Sequence, residues 1–200
     1  MRRRLVLTAP LALSACASLL PAQKYVTRTD WPLEPAPPAA MPGNRAGKVL
    51  LVRAITAAPG LDARGVQSLA PDGSLKTDYY NLWAVDPADA VTQALLAWTQ
   101  ASGVFSAVAT PGSRLTPSLI LEGQLTELVA DLGQGQARAV LTLVVIKAAG
   151  AMGVAMPLTQ VRLSGTAPLQ GSDPAAEVAA QRAALADVLK QAMALLKRFA

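Results

Sequence analysis

Apolar positions along the chain fall into short runs and stripes whose spacing sorts it into strands and helices. Val49-Leu50-Leu51-Val52 is a continuous apolar run ending near Ile55 and the Pro59-Gly60 turn, which predicts a buried strand. Val66 to Leu69 and Leu75 to Trp83 flank Pro71-Asp72-Gly73, where glycine permits the positive φ of a tight turn, so the pair predicts a hairpin. Asp86-Pro87 is a helix start, with Asp86 as N-cap and Pro87 in the first turn. Val91, Ala94, Leu95 and Trp98 then recur at helical spacing until Gly103. Phe105 and Val108 form a brief edge segment, followed by a loop from Thr110 to Pro117. Leu119 to Leu132, Arg138 to Lys147 and about Val154 to Gly165 are separated by glycine-rich turns and predict a three-stranded meander. Its middle strand, Val140 to Ile146, is apolar on both faces. It is either a central strand covered on both sides or one with an exposed apolar surface carried by Val140, Val144 and Ile146. Ser172-Asp173-Pro174 opens a second helix that carries Val178, Leu185, Val188, Leu189, Ala192, Leu196 and Phe199 along one stripe. Lys190, Lys197 and Arg198 suit its negative end.

These elements define one α+β domain over residues 48–200: an antiparallel sheet, built from the hairpin and the meander, packed against two amphipathic helices. Before it, residues 16–47 lack periodicity and carry Pro21, Pro32, Pro35, Pro37, Pro38 and Pro42. They read either as a semi-rigid tether or as a segment lying along the domain edge through Tyr25 and Trp31. The aromatic strand raises its own ambiguity. At period two, Tyr79 and Trp83 share one face with Asn81, while Tyr80 and Leu82 share the other. Tyr79, Tyr80 and Trp83 are a candidate partner surface, with one face expected in the core.

At the N-terminus, Arg2 to Arg4 precede an apolar run from Leu5 to Leu13. About nine residues are too few to cross a bilayer core, which needs roughly 20, so the stretch is a cleavable export signal over residues 1–15. Removing it changes the charge picture: the formal +5 rests on 18 basic and 13 acidic residues, and discounting the three leading arginines leaves 15 against 13. Nucleic-acid binding loses its electrostatic basis. The chain has no histidine and a single cysteine, Cys16, which removes Ser-His-Asp and Cys-His catalysis, common zinc sites and disulfides. No cofactor is expected. Carboxylate chemistry stays open through Glu122 and Glu127, but their odd spacing on one strand points them to opposite faces unless a bulge intervenes.

Leu13-Ser14-Ala15-Cys16 resembles the lipobox of bacterial lipoprotein precursors: an aliphatic residue, two small residues, then cysteine. The resemblance implies lipid on the Cys16 thiol and cleavage before it, with Leu13, Ser14 and Ala15 read by the peptidase. An ordinary secretory signal cut at an A-x-A-like site uses similar residues, yet a lone unlipidated thiol would be a liability in an oxidising compartment. Ala17 and Ser18 carry no inner-membrane retention signal, and the same resemblance therefore implies the outer membrane, on its periplasmic side.

A second resemblance spans roughly residues 48–198. The aromatic strand Tyr79-Tyr80-Asn81-Leu82-Trp83, the Asp86-Pro87 helix start, the helix through Leu95-Leu96 and Ser102-Gly103-Val104-Phe105-Ser106-Ala107-Val108 follow in the order of the ABC-type transport auxiliary lipoprotein family. Trp83, Pro87 and Gly103 to Val108 match its landmarks, whereas Asn81-Leu82 stand where members often have a small and a basic residue. The resemblance implies a non-enzymatic subunit working with an ABC transporter and a mammalian-cell-entry-domain protein to move lipids or other apolar molecules. Homo-oligomerisation stays open, and an outer-membrane assembly or envelope-structure lipoprotein is the alternative.

Overall fold

The computed structural model describes residues 25–150 and 153–200. The lipobox residues Leu13, Ser14, Ala15 and Cys16 lie outside the described residues. In chain order the elements are β1 (Thr29–Trp31), β2 (Val49–Val52), β3 (Thr56–Ala57), β4 (Gly65–Leu69), β5 (Leu75–Trp83), α1 (Pro87–Ala101), β6 (Ala107–Ala109), β7 (Leu119–Asp131), β8 (Gln136–Lys147), β9 (Met156–Pro168) and α2 (Pro174–Leu196).

All nine described strands join one sheet, with β7 at its hub. The predicted meander β7-β8-β9 and the hairpin β4-β5 are antiparallel. The opposite edge of β7, however, receives β2, β3 and β4 one after another along its length, each parallel to it. Strand β6 adds in parallel to β2, and β1 in parallel to β5. The sheet is therefore mixed, not antiparallel. The physical reason is the connection: between β2 and β7 the chain runs through a hairpin and α1, a long crossover of the kind that returns a strand in the same direction.

Both helices cover the same face. Ala137, Ala139, Leu141, Leu143 and Val145 of β8 are fully buried, as are Leu121 and Leu125 of β7. They form one cluster with Val91 and Leu95 of α1 and with Leu185, Val188, Leu189 and Ala192 of α2. The alternate residues of β8 face away from the helices. Val140 is buried there at 4% exposure, while Val144 and Ile146 are half-buried. The strand that reads as apolar on both faces is thus core on one face and partly covered on the other. Val140 belongs to the interior and not to an exposed apolar surface.

Helix α2 is capped as its sequence predicts, Asp173 accepting a hydrogen bond from the Ala176 N–H at 2.9 Å. Asp86 occupies the N-cap of α1 without a side-chain cap bond, and Pro87 in the first turn supplies the preset φ. Thr92 fixes α1 to the sheet from the side: its hydroxyl accepts from the Ile55 N–H at 2.9 Å and donates to Ala88 O at 2.8 Å.

From Thr29 onward the proline-rich segment is a strap on the domain, so a free tether over the whole of residues 16–47 does not hold. β1 pairs with β5, and Leu33 is 1% exposed. The Pro35 carbonyl accepts the buried Trp98 indole N–H at 2.9 Å, and the Met41 N–H donates to Ala101 O at 2.8 Å. Prolines cannot extend a ladder, but their carbonyls still accept hydrogen bonds, and Trp31 and Leu33 supply apolar area that a solvated tether would leave wet.

Candidate functional site

The aromatic strand departs from the period-two reading at Asp78. Between the register pairs Gln67↔Thr77 and Gly65↔Leu82, β5 carries more residues than β4 and bulges outward. Asp78 holds the bulge, its carboxylate accepting from the backbone N–H of Tyr80 at 2.7 Å and of Asn81 at 3.0 Å, and from the Asn81 amide at 2.9 Å. Burial opposes ionisation of Asp78, but these bonds outweigh it and keep its carboxyl below the ordinary carboxylate range. Asn81 then links the bulge to β1, accepting from the Trp31 indole N–H at 3.0 Å. Asn81, the family departure, thus fastens the strap to the bulge.

The bulge turns Tyr79 and Tyr80 outward together. They are 68% and 42% exposed, with ring centroids 5.2 Å apart in an edge-to-face pair, and the Arg28 guanidinium lies 5.0 Å from the Tyr79 ring centre. Trp83 is 1% exposed and packs in the core. Of the three aromatics proposed as a partner surface, the structure keeps two together at a corner and places Trp83 in the interior. Past the bulge, β1 pairs with β5 from Asn81 to Trp83, and Gly65 of β4 lies opposite Leu82 on the other side.

A second bulge, between Leu125 and Glu127 of β7, reverses the expectation for the two glutamates. Glu122 sits opposite Val144 and Glu127 opposite Val140, so both carboxylates share the face turned away from the helices. Each is already engaged: Glu122 pairs with Arg53 at 2.5 Å, and Glu127 with Arg138 at 2.8 Å. Arg138 also reaches Asp131 at 2.6 Å, and Asp131 accepts the Gln134 N–H at 2.9 Å, tying the β7-β8 turn. The spacing of Asp131 and Arg138 across a glycine-flanked turn was the available signal for this network.

The Gln134 N–H, and after it Arg138, keep the Asp131 carboxyl below its ordinary value of 3.8. A carboxylate with a depressed folded-state pKa adds stability above its unfolded value and loses it as pH falls through the folded one. Asp131→Asn should therefore be less stable than wild type at pH 7, and the difference should shrink below about pH 4. Thermal melts of both proteins across pH 3 to 7 test this, and a pH-independent difference would contradict it.

Among the described residues no group of three or more metal-type ligands occurs, and no helix is long and apolar enough to cross a membrane. The architecture matches solved structures at the level of fold. A protein from Xanthomonas campestris aligns with a TM-score of 0.67 at 19% identity, covering 84% of this chain and 95% of that one. An uncharacterised protein aligns at 0.63 and 14% identity, covering 87% and 99%. None of the curated proteins matches the chain. The chain thus shares its overall fold with solved structures. The model for the ABC-type transport auxiliary lipoprotein component matches residues 31–193, and the chain belongs to that family. The match begins at Trp31, inside β1, which agrees with the strap being part of the domain. The chain is accordingly a lipoprotein component associated with ABC-type transport.

Proposed function

We propose that the chain is the lipid-anchored periplasmic subunit of an ABC-type transport system containing a mammalian-cell-entry-domain protein, moving lipids or other apolar molecules across the envelope. It acts by binding and not by catalysis. The observation that carries this reading is the family match over residues 31–193. Two features support it: the lipobox ending at Cys16 supplies an anchor, and the Tyr79-Tyr80 corner is an exposed aromatic pair held in place by Asp78. Aromatic side chains with few rotatable bonds carry a large share of interface energy, and pre-ordering them lowers the cost of docking. The engaged state of Glu122 and Glu127 supports a binding role.

Affinity purification of the lipoprotein from solubilised envelope should enrich an ABC-transporter or mammalian-cell-entry-domain component. Tyr79→Ala with Tyr80→Ala should cut that recovery roughly tenfold, the loss of one or more interface anchors. Cys16→Ala should lose fatty-acid label and leave the membrane fraction. Ala17→Asp should move the protein from the outer to the inner membrane where the host sorts lipoproteins by that residue. Enrichment of outer-membrane β-barrel partners in place of transporter components would favour the assembly alternative and overturn this reading.

A further inference from the structure

The C-terminal ends of α1 and α2 stand apart, and the strap passes over the gap. The space between them is a groove of about 450 Å³, within the roughly 300–1,000 Å³ usual for small-molecule sites. Trp98 and Met193 form its apolar floor and are 4% and 8% exposed. Small residues keep it open: Ala36 and Ala39 on the strap, Ala101 on α1 and Ala194 on α2. Met41 lines it from the strap and is 64% exposed, an unbranched side chain free to adapt to an apolar occupant.

Two cations border this apolar surface. Lys190 and Lys197 are seven residues apart, so two turns of helix bring them to the same face, and both line the groove. Neither forms an ion pair among the described residues, in contrast to Arg53, Arg64 and Arg138. Their placement near the α2 C-terminus also offsets the helix dipole, about half a negative charge, and among the described residues the Ala200 carboxylate, although near Lys197, forms no ion pair with either lysine. A surplus of positive charge beside a greasy cleft is complementary to an amphiphile with an anionic head.

We propose that this groove binds a single acyl chain carrying an anionic head group, the chain lying against Trp98 and Met193 and the head held by Lys190 and Lys197. The site names a ligand class for the transport role and rests on that reading only for the source of the ligand, an envelope lipid. The lysine stems extend the apolar wall while their ammonium groups stay wet, which suits a ligand entering from a membrane or a partner protein.

The test uses the mature lipoprotein in phosphatidylcholine nanodiscs with a diazirine-bearing long-chain fatty acid as probe, and mass spectrometry to locate the crosslinks. Saturable labelling of Met41, Trp98, Met193 and Ala194, competed by unlabelled palmitate, is the expected result. Ala194 is exposed, so Ala194→Trp should fill the groove without unfolding the domain and should abolish the label. Lys190→Gln with Lys197→Gln should lower it roughly fivefold, and a diazirine alcohol of equal length should label wild type less by a similar factor. Unchanged melting curves for both variants confirm that the fold is intact. Labelling that does not saturate, that survives Ala194→Trp, or that is equal for acid and alcohol would overturn the proposal. Recovery of transporter components in the pull-down is independent of these variants, so failure of the groove and failure of the transport reading are told apart.

Discussion

Trp83→Ala should destabilise the domain by about 3–5 kcal/mol, the usual cost of emptying a buried tryptophan site. The melting midpoint should fall by roughly 6–20 °C for a domain of this size. Trp83 is 1% exposed, and the chain around it is held on both edges: on one, its N–H donates to Arg64 O at 2.6 Å and its carbonyl accepts the Arg64 guanidinium at 2.7 Å; on the other, the Ala84 N–H donates to Trp31 O at 2.7 Å. Neighbouring elements anchored this way cannot collapse into the vacated volume, which puts the cost toward the upper end of the range. Tyr79→Ala and Tyr80→Ala serve as internal comparisons. Each removes an exposed ring with one edge-to-face contact, and Tyr79 also loses its cation-π contact with Arg28, so each should cost about 1 kcal/mol or less. Differential scanning calorimetry on the three variants decides: a mild Trp83→Ala would return that residue to the surface and restore a three-aromatic partner site.

Gly165→Val should be comparably damaging for the opposite reason. A Cβ at Gly165 would run into the Ala184 carbonyl and come within 3.0 Å of the Val188 backbone nitrogen and Cγ2, so α2 lies directly on β9 at this point. Ala184 and Val188 are themselves fully buried, which leaves the helix no room to step back without opening the core. Overpacking costs about 1–3 kcal/mol and more where backbone must move, and the gain from valine's strand preference is below about 1 kcal/mol. The expected net loss is about 3 kcal/mol, with Gly165→Ala intermediate. Thr166→Val, one residue on and facing away from the helices, should be nearly neutral. Equal stability of Gly165→Val and Thr166→Val in thermal melts would show that the helix contact does not constrain β9.

The elements were largely legible in the sequence because each is a local property. The hairpin at Pro71-Asp72-Gly73, the two Asp-Pro helix starts and the three long strands stand where periodicity and turn chemistry place them. The bulges were not legible. At Asp78 a single carboxylate with three bonds moves two tyrosines to one corner and sends Trp83 inward, and at Thr126 one extra residue brings Glu122 and Glu127 to a common face. A period-two argument assumes an uninterrupted ladder, and whether the ladder is interrupted depends on the partner strand.

Pairing partners and depth of burial belong to the same class. Val140, Val144 and Ile146 have the same apolar character, yet Val140 is interior and the other two are half-covered, because coverage depends on what lies across the sheet. The strap likewise carries prolines that signal extended chain, but what binds it to the domain is contact across the fold: β1 pairing with β5, buried Leu33, and the indoles of Trp31 and Trp98 reaching Asn81 and Pro35. By itself the sequence determined the order of the longer strands and the two helices and the absence of histidine chemistry, all read from neighbouring or counted residues. The parallel pairing of β7 with β2, β3 and β4, the corner of Tyr79 and Tyr80, the burial of Trp83 and the groove between the helix ends were decided by tertiary contacts. Those contacts join residues tens of positions apart, and their energies depend on geometry that no local pattern encodes.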